Sequence, residues 1–405
     1  MAASTKPHVI IIGSGCSGLL VAQGLKKRGI SFSVHDRVDP TTRHRNWSMT
    51  VYWAQRYYPQ LLPPDLFARL NEGTARSAYR YTDNEWLVIQ NCKTGEVLKE
   101  WNSPYGIRVN RAGLRKLFSN RIDFGHELTR IEYTDTGVIA HFADGTSEAG
   151  TTLVGADGGN SFVRRQLLGD RGEAEKFPQY KMVNMSVKYT PKQNKFIAQN
   201  MAPYVDYGVH PKGIFFMVLH CDSPDENDYT NWVFHIALTF PTDLAGMPTK
   251  DQSNAERANA LRALGDEMSE PRRSILKWLP KDQDVPFDPI KLWEPTQWDN
   301  HGGRVTLAGD SSHAISFHRG QGWNNATTDC AHFVTAMENV ATGKQSLPDA
   351  IGDYETEVIE RGIREVSLSR ELTHAVHKWE LFLKSPAIIH GGNEIVENTK
   401  VMVLP

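Results

Sequence analysis

Three clusters of glycines and carboxylates follow apolar, strand-like runs of the sequence. The first is Gly13-Ser14-Gly15-Cys16-Ser17-Gly18, the second is Asp157-Gly158, and the third is Gly309-Asp310, with Gly320 and Gly322 soon after. Backbone N–H groups at glycine-rich helix starts bind phosphate, and carboxylates accept hydrogen bonds from ribose hydroxyls. Residues of these types predict a site for a ligand that carries both phosphate groups and ribose hydroxyls.

The first cluster has the G-x-G-x-x-G spacing that is typical of dinucleotide-binding turns. In such a turn Gly13 permits the tight bend, Gly15 lets the backbone approach a pyrophosphate, and Gly18 lets the helix pack closely on the strand. The pyrophosphate lies at the positive N-terminus of the following helix. A glycine-rich turn that binds nothing is the alternative.

The elements around this turn support the dinucleotide interpretation. The run 9–12 predicts a strand, the pattern over 19–27 predicts a helix, and 32–35 predicts a second strand. Asp36 follows that second strand, where an acid accepts hydrogen bonds from an adenosine ribose. Two strands, a helix and an acid in register favour a dinucleotide over an empty turn.

Length and composition narrow the class of protein. A chain of 405 residues predicts two closely joined domains. The formal net charge of -2, with no long basic run, gives nucleic-acid binding no electrostatic support. The four cysteines are far apart and form no C-x-x-C pair, and neither a signal peptide nor a membrane-spanning run is evident. We therefore expect a cytoplasmic protein with reduced thiols and no integral membrane segment.

Periodicity in the rest of the chain predicts an α/β protein. Strand patterns occupy 79–101, 128–133, 138–142, 151–154 and 182–240. Helical patterns occupy 52–58, 111–117, 251–279 and 346–383, and the tail after Pro386 looks irregular. We interpret 128–154 as a three-stranded meander and the block from 182 to 279 as a second domain that carries a substrate pocket.

Together the three clusters resemble those of the single-component FAD-dependent aromatic hydroxylases, the group A flavoprotein monooxygenases typified by para-hydroxybenzoate hydroxylase. The sequence is most similar to fungal members that modify secondary metabolites, and the similarity weakens between about 180 and 295. The resemblance implies an α/β fold with a Rossmann-like FAD-binding domain of the GR2 type, an interleaved, mainly β-sheet substrate domain and C-terminal helices.

The resemblance also implies domain boundaries. The FAD-binding domain is discontinuous and comprises 1–75, 108–178 and 296–345. The substrate-binding sheet domain comprises 76–107 and 179–295, and 346–405 forms a C-terminal helical region and tail.

Cofactor-binding roles carry over by position. Asp36 matches the ribose-binding acid, Arg111 matches an arginine that contacts the FAD diphosphate or ribityl chain, and Asp310 matches the carboxylate that holds the ribityl hydroxyls. The residues implied to bind FAD are Gly13, Ser14, Gly15, Cys16, Ser17, Gly18, Asp36, Arg37, Arg111, Asp157, Gly158, Gly309, Asp310, Gly320 and Gly322.

Two further positions concern the reacting end of the flavin. Arg45 falls where the family often places a basic residue near the mobile flavin. Phe317 stands where the family normally has a proline that lies against the reacting flavin edge. This departure puts oxygen activation or pocket shape in question, although the glycines that follow are intact.

The resemblance implies the reaction of a flavoprotein monooxygenase. NADPH or NADH reduces FAD transiently, O2 adds to give a flavin C4a-hydroperoxide, and an apolar, electron-rich small molecule takes up one oxygen atom. Aromatic hydroxylation in secondary-metabolite biosynthesis is the leading expectation. The sequence leaves monomer and homodimer both open.

The base that would ionise a phenolic substrate is not evident. Its candidates lie in the presumed substrate sheet, and they are Tyr204, Tyr207, His210, His220 and His235. Packing residues are the common alternative for each. We select Tyr207 and His210, together with Arg45, as catalytic residues. His374 and His377 lack partner ligands in pattern, so no metal site is predicted.

Other functions fit the same motifs. Baeyer–Villiger oxygenation and epoxidation use the same flavin chemistry, and fold does not choose between them. A flavin-dependent halogenase would need a W-x-W-x-I-P-type segment, which the sequence lacks. A non-catalytic FAD-binding protein is a third alternative, which the three intact motifs oppose.

Overall fold

The computed structural model describes residues 7–38, 45–119 and 126–391. Its strands are β1 (His8–Ile12), β2 (Ser31–His35), β3 (Ser48–Val51), β4 (Trp86–Asn91), β5 (Val97–Asn102), β6 (Ile107–Asn110), β7 (Leu128–Tyr133), β8 (Val138–Phe142), β9 (Ser147–Gly150), β10 (Thr152–Gly155), β11 (Glu175–Lys176), β12 (Tyr180–Lys188), β13 (Val205–His210), β14 (Ile214–Asp222), β15 (Val233–Pro241), β16 (Phe287–Asp288), β17 (Lys291–Leu292) and β18 (Val305–Leu307).

Its α-helices are α1 (Cys16–Lys27), α2 (Tyr58–Leu61), α3 (Pro64–Phe67), α4 (Arg111–Phe118), α5 (Phe162–Leu168), α6 (Pro191–Asn200), α7 (Asn254–Leu264), α8 (Arg272–Lys277), α9 (Gly322–Ala341), α10 (Leu347–Ala375), α11 (Trp379–Phe382) and α12 (Pro386–Ile389). Short 3-10 turns include Trp53–Tyr57, Gly309–Ser311 and Phe317–Arg319.

A parallel sheet in the order β18-β10-β1-β2 carries the glycine clusters. In this sheet β1 lies between β10 and β2, with Ile12 opposite both Gly155 and His35. Because the carboxyl ends of parallel strands meet at one edge, the chain segments after β1, β2, β10 and β18 converge there. That edge is where the three clusters of the sequence come together.

A second, seven-stranded sheet in the order β16-β12-β15-β14-β13-β4-β5 stands beside the first. All its neighbours are antiparallel except β13 and β4, which pair in parallel. Apolar side chains on one face of this sheet pack with α7 and α8, and those on the other face pack against the end of α10. Its strands derive from 86–102 and 180–288, whereas the domain division itself stays a prediction.

The structure corrects two sequence predictions of local structure. The third strand of the meander is β9, and 152–155 instead forms β10 beside β1 in the parallel sheet. The block 182–240 also contains the helix α6, which Thr190 and Gln193 start with a capping box. The first difference arises because a short apolar run predicts a strand without predicting the partner of that strand. The second arises because the capping signal of Thr190 and Gln193 was not recognised within a block of strand patterns.

Candidate active site

One cavity of about 730 Å³ runs from the edge of the parallel sheet to the seven-stranded sheet. All three glycine-acid clusters contribute to its walls at one end. The other end is lined by β3, β6, β12, β14 and β15. Segments far apart in sequence therefore share one cavity that has a polar half and a mixed apolar half.

Gly13 and Gly18 form the tight turn between β1 and α1. Gly13 has a φ of 111°, and a Cβ there would stand 2.4 Å from the carbonyl oxygen of Ala156. A Cβ on Gly18 would stand 2.0 Å from the carbonyl oxygen of Gly13. Only glycine fits these positions, so α1 packs directly against the sheet. No side chain caps the N-terminus of α1, which lies at the cavity.

Asp36 lies at the end of β2 and lines the cavity, as does the neighbouring Arg37. The Asp36 carboxylate accepts hydrogen bonds from the Ser14 backbone N–H over 2.8 Å and from the Ser14 hydroxyl over 2.7 Å. Ser14 itself is fully buried and is not part of the cavity wall. The serine therefore orients the carboxylate, which keeps further acceptor capacity for a ligand hydroxyl.

One carboxylate oxygen of Asp157 accepts hydrogen bonds, and the other has no partner among the described residues. Its Oδ2 accepts from the backbone N–H groups of Phe162 and Val163, 2.6 and 3.2 Å away, at the start of α5. Its Oδ1 is buried without a hydrogen-bond partner and belongs to a cavity-lining residue. Burial raises the pKa of this carboxyl. A buried acceptor of this kind needs a donor, and a ligand in the cavity can supply one.

The third cluster is held by a buried charge network that the sequence did not reveal. Asp329 on α9 accepts from the Gly309 N–H over 2.6 Å, lies 2.8 Å from His313 Nε2 and pairs with Arg361 of α10 over 2.6 Å. Although burial alone would raise the pKa of Asp329, His313 and Arg361 hold it well below its usual range. This network fixes the loop that presents Asp310 to the cavity, where burial raises the pKa of the Asp310 carboxyl.

Arg164 ties the second cluster to the third. Its side chain is 1% exposed and donates hydrogen bonds to the carbonyl oxygens of Gly159, Asp310 and Ser311, among others. Burial lowers its pKa to about 10, which still leaves it cationic. The two cavity-lining loops are thereby held in one fixed relation.

The loop before α9 forms part of the cavity wall where the two halves of the cavity meet. Gly320, Gly322 and Phe317 all line it, and the Phe317 ring stacks on His318 with centroids 4.5 Å apart. Asn324 of α9 donates to the carbonyl oxygens of Thr50 and Gly320, 3.0 and 3.2 Å away. This loop is therefore bound to β3, which continues into the second half of the cavity.

These features fit FAD. The open N-terminus of α1 suits a pyrophosphate, Asp36 and Asp310 suit ribose and ribityl hydroxyls, and Asp157 Oδ1 needs a donor. No side chain projects from Gly158, and a Cβ placed there would meet nothing within 4 Å, so ligand atoms have room. The role of each residue toward FAD stays a prediction.

Arg111 and Arg45 lie along the same cavity. The Arg111 guanidinium lies 4.3 Å from the ring centroid of Trp47. Arg45 forms two hydrogen bonds of 2.6 Å with the Asp288 carboxylate and one of 3.2 Å with the Asn184 carbonyl oxygen. Hydrogen bonding to Asp288 raises the pKa of Arg45. Arg45 thus joins the segment before β3 to the edge of the seven-stranded sheet.

The end of the cavity beside the seven-stranded sheet, where we predict the substrate end, combines apolar side chains with His235 and Arg108. Met182, Met217 and Leu219 line it with both of these. His235 Nδ1 accepts from the Ser48 N–H over 3.4 Å, and its Nε2 lies 2.8 Å from Asn184 Oδ1. Burial and the Arg108 charge lower the pKa of His235 to about 3, so the ring is neutral. No pattern in the sequence separated His235 from the other histidines of the sheet or indicated Arg108.

The structure does not bring Tyr207 and His210 to the cavity. Tyr207 packs beside Phe215, with ring centroids 5.4 Å apart, among apolar residues under the C-terminal helices. His210 lies at the end of β13, where it accepts from the Lys212 N–H over 3.1 Å. Tyr207 lies opposite the cavity-lining Met217 and shares its sheet face, but β13 is one strand farther from the cavity than β14. His210 lies opposite Ile214, which packs on the other face of the sheet. Neither the strand order nor the face could be predicted from alternation along a strand. Of the selected catalytic residues only Arg45 lines the cavity.

Comparisons with known proteins agree with this geometry. The model of a family described as an FAD binding domain matches residues 111–366. The FAD-dependent monooxygenase phnB of Penicillium herquei is 32% identical over 396 residues, which cover 96% of this chain and 95% of the relative. For the FAD-dependent monooxygenase cctM of Talaromyces islandicus the identity is 32% over 395 residues, with 95% and 96% covered.

The chain belongs to the FAD-dependent monooxygenases. The monooxygenase is an oxidoreductase with FAD as cofactor. Its fold is that of Klebsiella pneumoniae HpxO, solved with FAD and uric acid, with a TM-score of 0.74 at 19% identity and with 98% and 95% of the two chains covered. The predicted family and the fold expected of para-hydroxybenzoate hydroxylase relatives are thereby confirmed.

The described ranges 7–38, 45–119 and 126–391 contain no group of three or more histidine, cysteine or acidic residues placed to hold a metal ion. No helix in these ranges combines the length and the apolar character that crossing a bilayer requires.

Proposed function

We propose that the monooxygenase consumes NADPH or NADH and O2 to insert one oxygen atom into an apolar, electron-rich small molecule, most simply by hydroxylating an aromatic ring. The observation that carries this proposal is the single cavity that joins the glycine-acid clusters to the apolar wall of the seven-stranded sheet. Bound FAD supplies the redox chemistry that activates O2.

The chain's own residues supply position and a controlled environment. Phe317 and the apolar side chains of β14 line the cavity, where they provide apolar contacts that would displace water around a bound substrate. Neutral His235 and the cation of Arg108 place polar groups at the substrate end. Names of similar proteins support an aromatic substrate, since one relative is a 6-hydroxynicotinate 3-monooxygenase and one structural neighbour a 2,6-dihydroxypyridine-3-hydroxylase.

Flavin content and turnover test this proposal in that order. We expect the purified protein to be yellow and to release FAD on denaturation. We then expect electron-rich aromatic compounds to accelerate NADPH oxidation and to gain one oxygen atom by mass. A colourless protein that cannot be reconstituted with FAD would contradict the proposal. A product that is an ester or lactone, or an epoxide, would replace hydroxylation by one of the two alternative reactions.

A further inference from the structure

Arg108 is a buried cation at the substrate end of the cavity. Its side chain is 1% exposed and lines the cavity beside Ser48 and Thr50 of the paired strand β3. Its terminal nitrogens donate to the hydroxyls of Thr50 and Ser48. Its Nε has no hydrogen-bond partner among the described residues. The guanidinium is thus held in place by two neutral groups and retains an unused donor.

The two other arginines that are equally buried are satisfied differently. Arg272 pairs with the Asp206 carboxylate and donates to Gln90 over 2.8 Å, although its Nε, like that of Arg108, has no hydrogen-bond partner among the described residues. Arg164 donates to several backbone carbonyl oxygens that belong to the cavity-lining loops. Within the described ranges, Arg108 has no carboxylate within ion-pair distance and no carbonyl acceptor for its guanidinium. A buried charge without a counter-charge is costly, so this one calls for an explanation.

The ionisable groups that face Arg108 do not supply a counter-charge. Burial raises the pKa of each facing thiol and phenol, namely Cys221, Tyr52, Tyr81 and Tyr204. Burial also lowers the pKa of the two facing imidazoles, His220 and His235. All six groups are neutral near neutral pH, so none of them supplies a counter-charge, whereas an anion bound in the cavity would supply one.

We infer that Arg108 binds an anionic oxygen of the substrate, which is a phenolate, an enolate or a carboxylate on an otherwise apolar molecule. The inference rests on the proposed function for the identity of the ligand as substrate. Met217 and Leu219 line the same end of the cavity and provide the apolar contact. The hydroxyls of Ser48 and Thr50 fix the direction of the guanidinium. An opposite charge at such a site favours the ionised ligand by about 10-fold or more.

Paired fluorinated ligands test this inference by fluorine NMR titration of the FAD-loaded protein. One pair is para-fluorobenzoate and para-fluorobenzamide, and the other is ortho-fluoro-para-nitrophenol and its methyl ether. We expect the anion of at least one pair to bind roughly 10-fold more tightly than its neutral analogue. A response of the benzoate pair alone identifies a carboxylate, and a response of the nitrophenol pair identifies a phenolate or enolate.

Variants separate charge recognition from a structural role. Arg108→Met should abolish the preference for the anion, whereas Arg108→Lys should keep part of it. Met217→Leu changes the same wall without changing charge and should keep the full preference. Circular dichroism checks that each variant folds, and Arg108→Gln, which also removes the charge, replaces Arg108→Met if that variant does not fold. Equal binding of anion and neutral analogue in the wild type, or an unchanged preference in folded Arg108→Met, would overturn the inference.

This titration measures binding and not turnover, so it separates two failures. A protein that inserts oxygen into a substrate but shows no preference for anions retains the proposed function and loses only the role of Arg108. A protein that prefers anions but inserts oxygen into no substrate with either NADPH or NADH retains the Arg108 site and loses the proposed function.

Discussion

At the scale of single residues, Asp310 is the most direct test of the cofactor site. It lines the cavity on a loop that Asp329 and Arg164 hold in place. Asp310→Ala removes a carboxylate acceptor, and we expect FAD affinity to fall by about 2 kcal/mol, or roughly 30-fold in Kd. Flavin absorbance after gel filtration measures the occupancy.

The matched control for Asp310→Ala is Asp282→Ala, because Asp282 is exposed and does not line the cavity. We expect this control to keep its flavin. A folded Asp310→Ala protein with full FAD occupancy would remove the assigned role.

Glu355 provides a residue-scale prediction about pH. It is buried on α10, where its two oxygens accept from Trp298 over 3.0 Å and from Asn300 over 2.7 Å. Burial raises the pKa of this carboxyl to about 7. Ionisation is easier in the unfolded chain, so this group costs stability as pH rises from its ordinary pKa toward 7. Between about pH 5 and pH 8 that cost grows by about 2 to 3 kcal/mol.

Urea denaturation of wild type and Glu355→Gln at both pH values tests this prediction. We expect the variant to gain stability relative to wild type by about 2 kcal/mol as pH rises. Glu360→Gln removes a negative charge from an exposed site on the same helix and serves as control. A wild-type and a Glu355→Gln protein that lose stability in parallel would show that Glu355 does not set the pH dependence.

The sequence predicted the residues of the cofactor half far better than those of the substrate half. Gly13, Asp157 and Asp310 stand at fixed spacings from strands and turns, so their positions follow from local pattern. Arg108 and His235 become neighbours only when β6 and β15 are brought together by two different sheets. Asp329 lies inside a helix without any local signal. Long-range packing decides whether residues such as Arg108, His235 and Asp329 reach the site.

At the scale of elements, the turn between β1 and α1 requires a close approach at Gly18. Gly18→Ala would place a methyl group 2.0 Å from the Gly13 carbonyl oxygen and push the helix from the sheet. We expect a loss of about 1–3 kcal/mol in the free energy of unfolding, together with weaker FAD binding. Thermal denaturation with and without FAD measures both effects.

Gly352→Ala on α10 is the opposite case and serves as the matched control. A Cβ at Gly352 meets nothing within 4 Å, so alanine should stabilise that helix by about 0.5–1 kcal/mol. If Gly18→Ala were as well tolerated as Gly352→Ala, the turn would not have the tight packing described here.

Element types were also easier to predict than element partners. The strands 128–133 and 138–142 have the predicted bounds. Yet β9 and β10 are separated by a single residue and belong to different sheets. β10 is fully buried beside β1, whereas β9 has the polar, partly exposed sequence SEAG, so the apolar pattern favoured only β10 as a strand and did not indicate its sheet.

At the scale of the whole molecule, we expect segments that are distant in sequence to bind one FAD molecule. The segments 13–18, 155–159 and 309–322 line a single cavity although they are far apart in sequence. We therefore expect FAD to slow amide hydrogen exchange in all three segments at once, as measured by mass spectrometry. The helix α7, which makes no contribution to the cavity wall, should exchange at an unchanged rate. Protection of only one segment would contradict a shared site.

We propose that this cavity carries out FAD-dependent insertion of one oxygen atom from O2. Turnover of a substrate that accelerates NADPH or NADH oxidation, run under isotopically labelled O2 with mass spectrometry of the product, tests this proposal. We expect the product to gain one labelled oxygen atom in step with the NADPH or NADH consumed. NADPH oxidation that yields only hydrogen peroxide for every substrate tested, or product oxygen that derives from water, would contradict it.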